Sequence, residues 1–328
     1  MSAMSTMPEL APAALHPRPA EEFHFQDILY EKRDWVARVT INRPKVYNAY
    51  RAHTLVEMRD AFRDASYDDG VAVLVLTGAG DRAFCTGGDV AEYAGEYTRR
   101  PRDYWKYMTL FIEAHDALRN IGKPTIARLN GIVAGGGNEW NMDCDLAVAA
   151  DDVTIRQVGT KVGSVAAGGA TQWLPIMIGD RRAREMLLTC EPVTARQALE
   201  WGLVNRVVPR SELDAAVDTL CQNLIDKFPE CLRYTKQQLN FWKDLPWHLT
   251  AGHARDWLSL HFASREPWEG MTAFVDKRPV DYRALRARAR DGEATESVWG
   301  PPTGTCPACG ARGLPEEMAF CGHCGQKL

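Results

Sequence analysis

Phe84-Cys85-Thr86-Gly87-Gly88-Asp89 and Gly135-Gly136-Gly137-Asn138-Glu139 are two glycine-rich turns, each following an apolar strand-like run and each opening a helix. Their pairing decides how the chain reads. A helix start leaves its first N–H groups without intrahelical acceptors and carries the positive end of the peptide dipole. Two such turns from separate parts of the chain can each aim one backbone N–H, from Gly88 and from Gly136, at a single carbonyl oxygen. Paired donors of that kind stabilise an enolate or a tetrahedral oxyanion. Glycine suits 87–88 and 135–137, where a side chain would block close approach to the backbone. Taken singly, each is an ordinary loop glycine. Together with Glu139, just inside the second helix, they form the catalytic signal of the chain.

Working outward, Ile28–Glu31 and Trp35–Ile41 read as strands joined by a Lys32-Arg33-Asp34 bend. Residues 52–66 carry Leu55, Met58, Phe62 and Ala65 at helical spacing. Val71–Leu76 is the continuous apolar run of a strand buried on both faces. A helix over 103–120, a strand over 125–129, a helix continuing through 140–144 and a strand over 146–150 complete an alternating α/β pattern. From Arg181 the chain reads as helical, over 181–190, 194–201, 211–227, 229–243 and 250–264. The arginine-rich 281–290 segment reads as a solvated helix face. The expected division is a disordered 1–22, a core over 23–205, a helical region over 206–290, a linker over 291–303 and a small module over 304–328.

The chain has 328 residues, 45% apolar and 25% charged, enough for a substantial core. A net charge of −4 lacks the basic face of a nucleic-acid binder. No apolar run approaches the ~18 residues that cross a bilayer. No basic-then-apolar signal opens the Ala/Pro-rich lead-in, so a cytoplasmic protein is expected. Nor is there a G-x-G-x-x-G with a downstream acid for a dinucleotide. Cys85, Cys144, Cys190, Cys221 and Cys231 are scattered, as reduced thiols are. Cys85 reads as a small buried residue rather than a nucleophile.

Cys306-Pro-Ala-Cys309 and Cys321-Gly-His-Cys324 differ from those five. Each C-x-x-C is followed by Gly, which permits the tight turn wrapping two thiolates around one metal, and four sulfurs satisfy tetrahedral Zn²⁺. Residues 304–328 resemble the zinc-ribbon family, with a closed, structural ion. A segment so short has almost no core, so metal binding supplies its folding free energy. His323 is expected to be exposed rather than coordinating.

Asn42-Arg43-Pro44-Lys45-Val46-Tyr47-Asn48-Ala49, the two glycine turns, Asn130-Gly131, Ala198-Leu199-Glu200-Trp201-Gly202-Leu203-Val204-Asn205 and Glu269-Gly270-Met271-Thr272-Ala273-Phe274 resemble the crotonase (enoyl-CoA hydratase/isomerase) superfamily over residues 23–285. The resemblance implies a ββα spiral core with C-terminal helices that trimerise, commonly as a dimer of trimers, and an acyl-CoA thioester substrate. It implies that the amides of Gly88 and Gly136 form the oxyanion hole. Val46, Ala49, Thr86, Gly87 and Asp89, with Gly135 and Gly159, would line the CoA and acyl path. Glu139 matches the first of two glutamates that hydratases use as general acid and base; the second position is Gly159. Losing one of two carboxylates disfavours simple hydration, since a general acid/base contributes ~10²–10⁴-fold.

Gln157, Gly159 and Val162-Gly163-Ser164 resemble the branch handling cyclic acyl-CoAs. That branch contains dihydroxynaphthoyl-CoA synthase, 2-ketocyclohexanecarboxyl-CoA hydrolase and 6-oxocyclohex-1-ene-1-carbonyl-CoA hydrolase. Ala166 replaces an aspartate of the first two, and Phe262 a tyrosine of the synthase. Ala166–Thr171 and Leu188–Pro192 resemble the oxocyclohexene hydrolase. The implied reaction is water addition and C–C cleavage of an alicyclic 3-oxoacyl-CoA. Two alternatives remain: hydration or isomerisation of another enoyl-CoA, and a crotonase-like scaffold whose zinc ribbon docks a protein partner. Tyr93, Tyr97, Tyr104, Trp105 and Tyr107 fall in the implied substrate-covering segment.

Overall fold

The computed structural model describes residues 16–292, 303–315 and 318–328. In chain order the core comprises β1 (Ile28–Arg33), β2 (Val36–Ile41), α1 (Ala52–Tyr67), β3 (Val73–Gly78), β4 (Ala83–Cys85), α2 (Val90–Glu92) and α3 (Pro101–Arg119). It continues through β5 (Thr125–Leu129), β6 (Ile132–Ala134), α4 (Gly136–Asp143), β7 (Leu146–Ala150), β8 (Thr154–Arg156), α5 (Ala170–Ile178), α6 (Asp180–Thr189), β9 (Val193–Thr194), α7 (Ala195–Trp201) and β10 (Arg206–Val208). Then come α8 (Leu213–Ile225), α9 (Pro229–His261), α10 (Arg265–Val275), α11 (Tyr282–Arg290), β11 (Thr303–Thr305) and β12 (Arg312–Pro315). Between α2 and α3, Tyr93–Tyr97 is π-helical.

Strands alternate between two sheets. The larger runs β1-β2-β3-β5-β7-β10, antiparallel only at the β1/β2 hairpin; the smaller runs β4-β6-β8-β9. The steps β3–β4, β5–β6 and β7–β8 each pass from the larger sheet to the smaller, and one or more helices follow each. This is the repeating ββα spiral that the family resemblance implies. β3 is buried throughout, in keeping with the unbroken Val and Leu of Val73–Leu76. Among the described residues no helix is long and apolar enough to cross a membrane.

Several boundaries move. The hairpin turn is Asp34-Trp35, both at positive φ, so Lys32 and Arg33 belong to β1. The larger sheet extends beyond residue 205, because β10 pairs with β7. The expected helices over 229–243 and 250–264 are one helix, α9, that passes through Pro246. In the lead-in, Arg18 N donates to Asp64 Oδ1 at 2.8 Å, and the Arg18 guanidinium covers the Phe23 ring. Residues 1–15 and most of the expected linker, 293–302, lie outside the described residues.

Candidate active site

Two buried asparagines set the first glycine turn. Asn48 Nδ2 donates to Ala79 O (3.0 Å) and Ala83 O (2.8 Å), and Asn130 Nδ2 donates to Gly78 O (2.9 Å) and Gly80 O (2.7 Å). The connection from β3 to β4 is thereby fixed, and with it the direction in which the chain leaves β4. Beyond Cys85, Tyr50 N donates to Gly87 O at 2.9 Å and Asp89 N donates to Tyr50 O at 2.8 Å. That bridge flanks Gly88 without using its N–H. Asp89 then caps the next helix by accepting from Ala91 N at 3.0 Å.

The second turn follows β6. Gly135 has φ 53°, a left-handed conformation that favours glycine, and Gly136 is the first residue of α4. The two turns touch: a Cβ added to Gly87 would stand 3.0 Å from Gly136 N and 3.2 Å from Ala134 O. Neither Gly88 N–H nor Gly136 N–H donates to another group among the described residues. A side chain at Gly88 would collide with the Tyr93 hydroxyl, and one at Gly136 with the Tyr50 hydroxyl. Cys85 is fully buried, and desolvation pushes its thiol up to about 12, so it is protonated at neutral pH.

Glu139 lies in the first turn of α4 and is 5% exposed. Ala170 N approaches its Oε1 at 3.4 Å, and a Cβ on Gly168 would sit 3.1 Å from its Oε2. Burial raises its pKa to about 7, while His115 and the Ala170 amide act in the opposite direction. That value suits a group that must gain and lose a proton near neutrality.

Over these groups lies an aromatic box. Tyr93, Tyr97, Tyr104 and Tyr107 pack with centroids 4.9–6.2 Å apart, and the Tyr93 and Tyr107 hydroxyls share a hydrogen bond of 2.7 Å. Phe262 at the end of α9 is fully buried and stacks on Tyr104 at 3.6 Å. Trp105 faces the other way, donating to Asp256 beneath the Arg255 guanidinium, so it is no part of the box. Gly270 explains the motif in α10: its missing side chain lets the helix rest on Val162-Gly163.

The residues expected along the CoA path gather around Arg43. Arg43 Nη1 donates to Ala49 O at 2.5 Å and its Nη2 pairs with Asp89 at 3.0 Å. Thr86 Oγ1 donates to Tyr47 O at 3.2 Å; Val46 and Tyr47 are exposed, and Arg82 covers the Tyr47 ring and bonds its hydroxyl. Gly159 lies elsewhere, lining a cavity of about 260 Å³ with Thr160, Val165, Ala166, Thr171 and Leu187. Sequence reasoning missed Arg43 and Arg82 as cations there, and Tyr50, Phe111, Gly168 and Ala170 around Glu139. Arg43 left a signal within the quoted Asn-Arg-Pro motif, and Gly168 and Ala170 within the quoted Ala166–Thr171 stretch.

In the C-terminal module β11 pairs with β12, and the sulfurs of Cys306, Cys309, Cys321 and Cys324 all lie within 4.8 Å of one another. Cys306–Cys324 and Cys309–Cys321 are 3.6 and 3.7 Å apart. Four sulfurs at such spacing fit a tetrahedral ion with Zn–S of ~2.3 Å. Gly310 and Gly325 take φ of 71° and 74°, the turn each C-x-x-C requires. His323 is exposed, and its backbone N, not its ring, meets Cys321 Sγ. Arg312 and Gly313 lie beside Gly95 and Arg99 of the segment that carries Tyr93 and Tyr97.

The fold has counterparts among known proteins. The enoyl-CoA hydratase/isomerase family pattern matches residues 31–284. An enoyl-CoA hydratase of Mycobacterium avium subsp. paratuberculosis K-10 superposes with a TM-score of 0.71 at 27% identity, covering 78% of this chain and 98% of that one. A carnitinyl-CoA hydratase of Mycobacterium avium gives 0.69 at 29%, covering 79% and 99%. An enoyl-CoA hydratase of Geobacillus kaustophilus HTA426 gives 0.63 at 31%, again covering 79% and 99%. With the spiral core, the paired turns and the match over most of its length, the chain belongs to the crotonase, or enoyl-CoA hydratase/isomerase, superfamily.

Proposed function

We propose that this protein adds water to an alicyclic 3-oxoacyl-CoA and opens its ring by C–C cleavage through a thioester enolate. One observation carries the reading: the Glu139 carboxyl is buried just inside the second glycine turn, and Gly159, which the resemblance matches to the second hydratase glutamate, brings no second carboxyl. A Cβ at Gly159 would press on Ser164 O and Ala166 N at 3.1 Å, so the loop is built around the missing side chain. The cavity beside it offers room for a ring.

In this reading the Gly88 and Gly136 amides hold the thioester oxygen as negative charge develops, each contributing ~3 kcal/mol in the transition state. Glu139 removes a proton from water for conjugate addition, and in a second step for attack on the ring ketone. Cleavage of the ring C–C bond expels the same enolate, so one pair of donors serves both steps. Val46, Ala49, Thr86, Gly87, Asp89 and Gly135 would border the CoA and pantetheine arm, with the Arg43 and Arg82 guanidiniums near its phosphates. The four-cysteine module holds a structural Zn²⁺ outside the chemistry.

A second reading, hydration of an acyclic enoyl-CoA, is favoured by the hydratases among the similar structures. Product mass spectrometry with cyclic and acyclic enoyl- and oxoacyl-CoAs in H₂¹⁸O separates the two. Ring opening places ¹⁸O in a new carboxylate. Label appearing only in a hydroxyl, with the carbon skeleton intact, would leave plain hydration.

A further inference from the structure

The run Tyr93–Arg99, which carries part of the aromatic box, is tied at both ends. Just before it, the Glu92 carboxylate accepts from Ala52 N at 3.1 and 3.2 Å. At its far end Arg99 N donates to Phe262 O at 3.1 Å. Inward, the Tyr93 hydroxyl stands against Gly88 and bonds the Tyr107 hydroxyl. Outward, the run is exposed at Gly95. A Cβ added there would meet Arg312 Nη1 at 3.6 Å and, its own helix and chain neighbours aside, no other group among the described residues. Arg312 belongs to β12 of the four-cysteine module.

Gly313 makes the second contact. Its φ of 75° suits glycine, and a Cβ on it would stand 2.9 Å from Arg99 Nη1, so the strand closes on that guanidinium only because no side chain intervenes. The Arg99 guanidinium also lies 3.6 Å from the Trp268 ring centroid, which makes it a joint between α10 and the module. The cysteines set where these two residues lie. Ala311 O, one residue before Arg312, accepts from Cys306 N at 2.8 Å. The apolar cluster of the module, Cys306, Leu314 and Cys321 with Ala311, is too small to fold it without an ion on the sulfurs. Contact between β12 and the Tyr93–Arg99 run therefore depends on metal. Cys309 and Cys324 are exposed, which leaves that ion within reach of a competing chelator.

We propose that the metal-loaded module is an outer wall of the active site: through Arg312 and Gly313 it braces the Tyr93–Arg99 run over the glycine turns, and metal occupancy sets how freely that run moves. The proposal holds whichever acyl-CoA the site takes, and whether or not the ring is opened. Arg312 and Gly313 touch no reacting atom; they are positioning residues. Without the ion, β12 leaves Gly95 and Arg99, while the two end ties and the inward ring packing remain. The run then loosens locally and the core stays folded, the behaviour of a segment with few buried contacts on one face. Tyr93 is the residue through which this reaches the site, because its hydroxyl stands over Gly88.

The test is amide hydrogen exchange of the full-length protein, loaded with zinc and then stripped of it by a chelator, with no substrate present. Stripping should speed exchange over residues 93–99 by about fivefold while β3 and β5 keep their protection. Arg312→Ala retains all four sulfurs and should still bind one zinc per chain. It should nonetheless speed exchange of the same segment by about twofold, and Arg312→Lys, which keeps a long cationic stem, should restore the protection. Unchanged exchange over 93–99 after zinc is withdrawn would overturn the proposal. So would a zinc-loaded Arg312→Ala that exchanges like the wild type there. Because neither measurement involves turnover, a failure here is distinct from a failure of the ring-opening reading, which only the labelled-water products decide.

Discussion

Glu139 is held neutral by its surroundings until the pH passes about 7, because burial penalises its ionised form. The base form therefore accumulates as pH rises, and kcat should climb through that region. Stability runs in the opposite direction. A carboxyl whose folded pKa is raised above its ordinary 4.5 contributes fully below that value, and the contribution is lost as pH rises to about 7. Glu139→Gln should cost at least a hundredfold in turnover, measured as kcat with CoA-ester binding unchanged. Calorimetry should find the same variant more heat-stable than the wild type at pH 8 and no better near pH 4.5. Near-normal turnover would remove Glu139 from the chemistry. A melting point lower than wild type at pH 8 would contradict the desolvation argument. The placing of Glu139 in the first turn of α4 was legible because residue type, helix position and glycine context all point the same way. The buried His115–Asp143 pair was not: a histidine in the middle of an amphipathic helix carries no local mark of the aspartate it will meet from another helix.

Among the elements, β3, β5, β7 and α1 were legible because burial on one or both faces imposes a plain apolar pattern. α9 was not. Its polar stretches and Pro246 imitate a helix–break–helix, whereas tertiary contacts such as Trp247 with Asp116 and Trp173 Nε1 with Lys243 O (3.1 Å) carry it through. The C-terminal module was the most legible of all, since four sulfurs at fixed spacing leave few geometries. Its apolar cluster, Cys306, Leu314 and Cys321 with Ala311, is too small to fold it unaided. Cys321→Ser, or prolonged chelation, should unfold this module alone. Limited proteolysis should then cut beyond residue 303 while circular dichroism of the core is unchanged. An intact, protease-resistant module without metal would show that zinc does not hold it.

Across the whole molecule, α9 and α10 expose Tyr234, Phe241, Trp242, Leu249, Leu260 and Phe274, several of them more than 60% accessible. Apolar area on that scale is seldom left in water. The expected outcome of sedimentation analysis is a homotrimer or a hexamer. Phe241→Glu combined with Trp242→Glu should shift it toward monomer; a monomeric wild type would refute the expectation. Little of this was visible from spacing, because an interface stripe and a core stripe look alike until the rest of the subunit is placed.

The π-helical run Tyr93–Tyr97 has a mechanical consequence. A wide turn holds one residue more than an α-helical turn, and that surplus can migrate along the segment without lengthening it. Moving it past one position rotates the side chains by about 100°. Such a twist would swing the Tyr93 phenol off Gly88 and uncover the amide. The thioester would then be admitted by a screw-like slip of one coil, with no hinge and no parting of the barrel of aromatic rings.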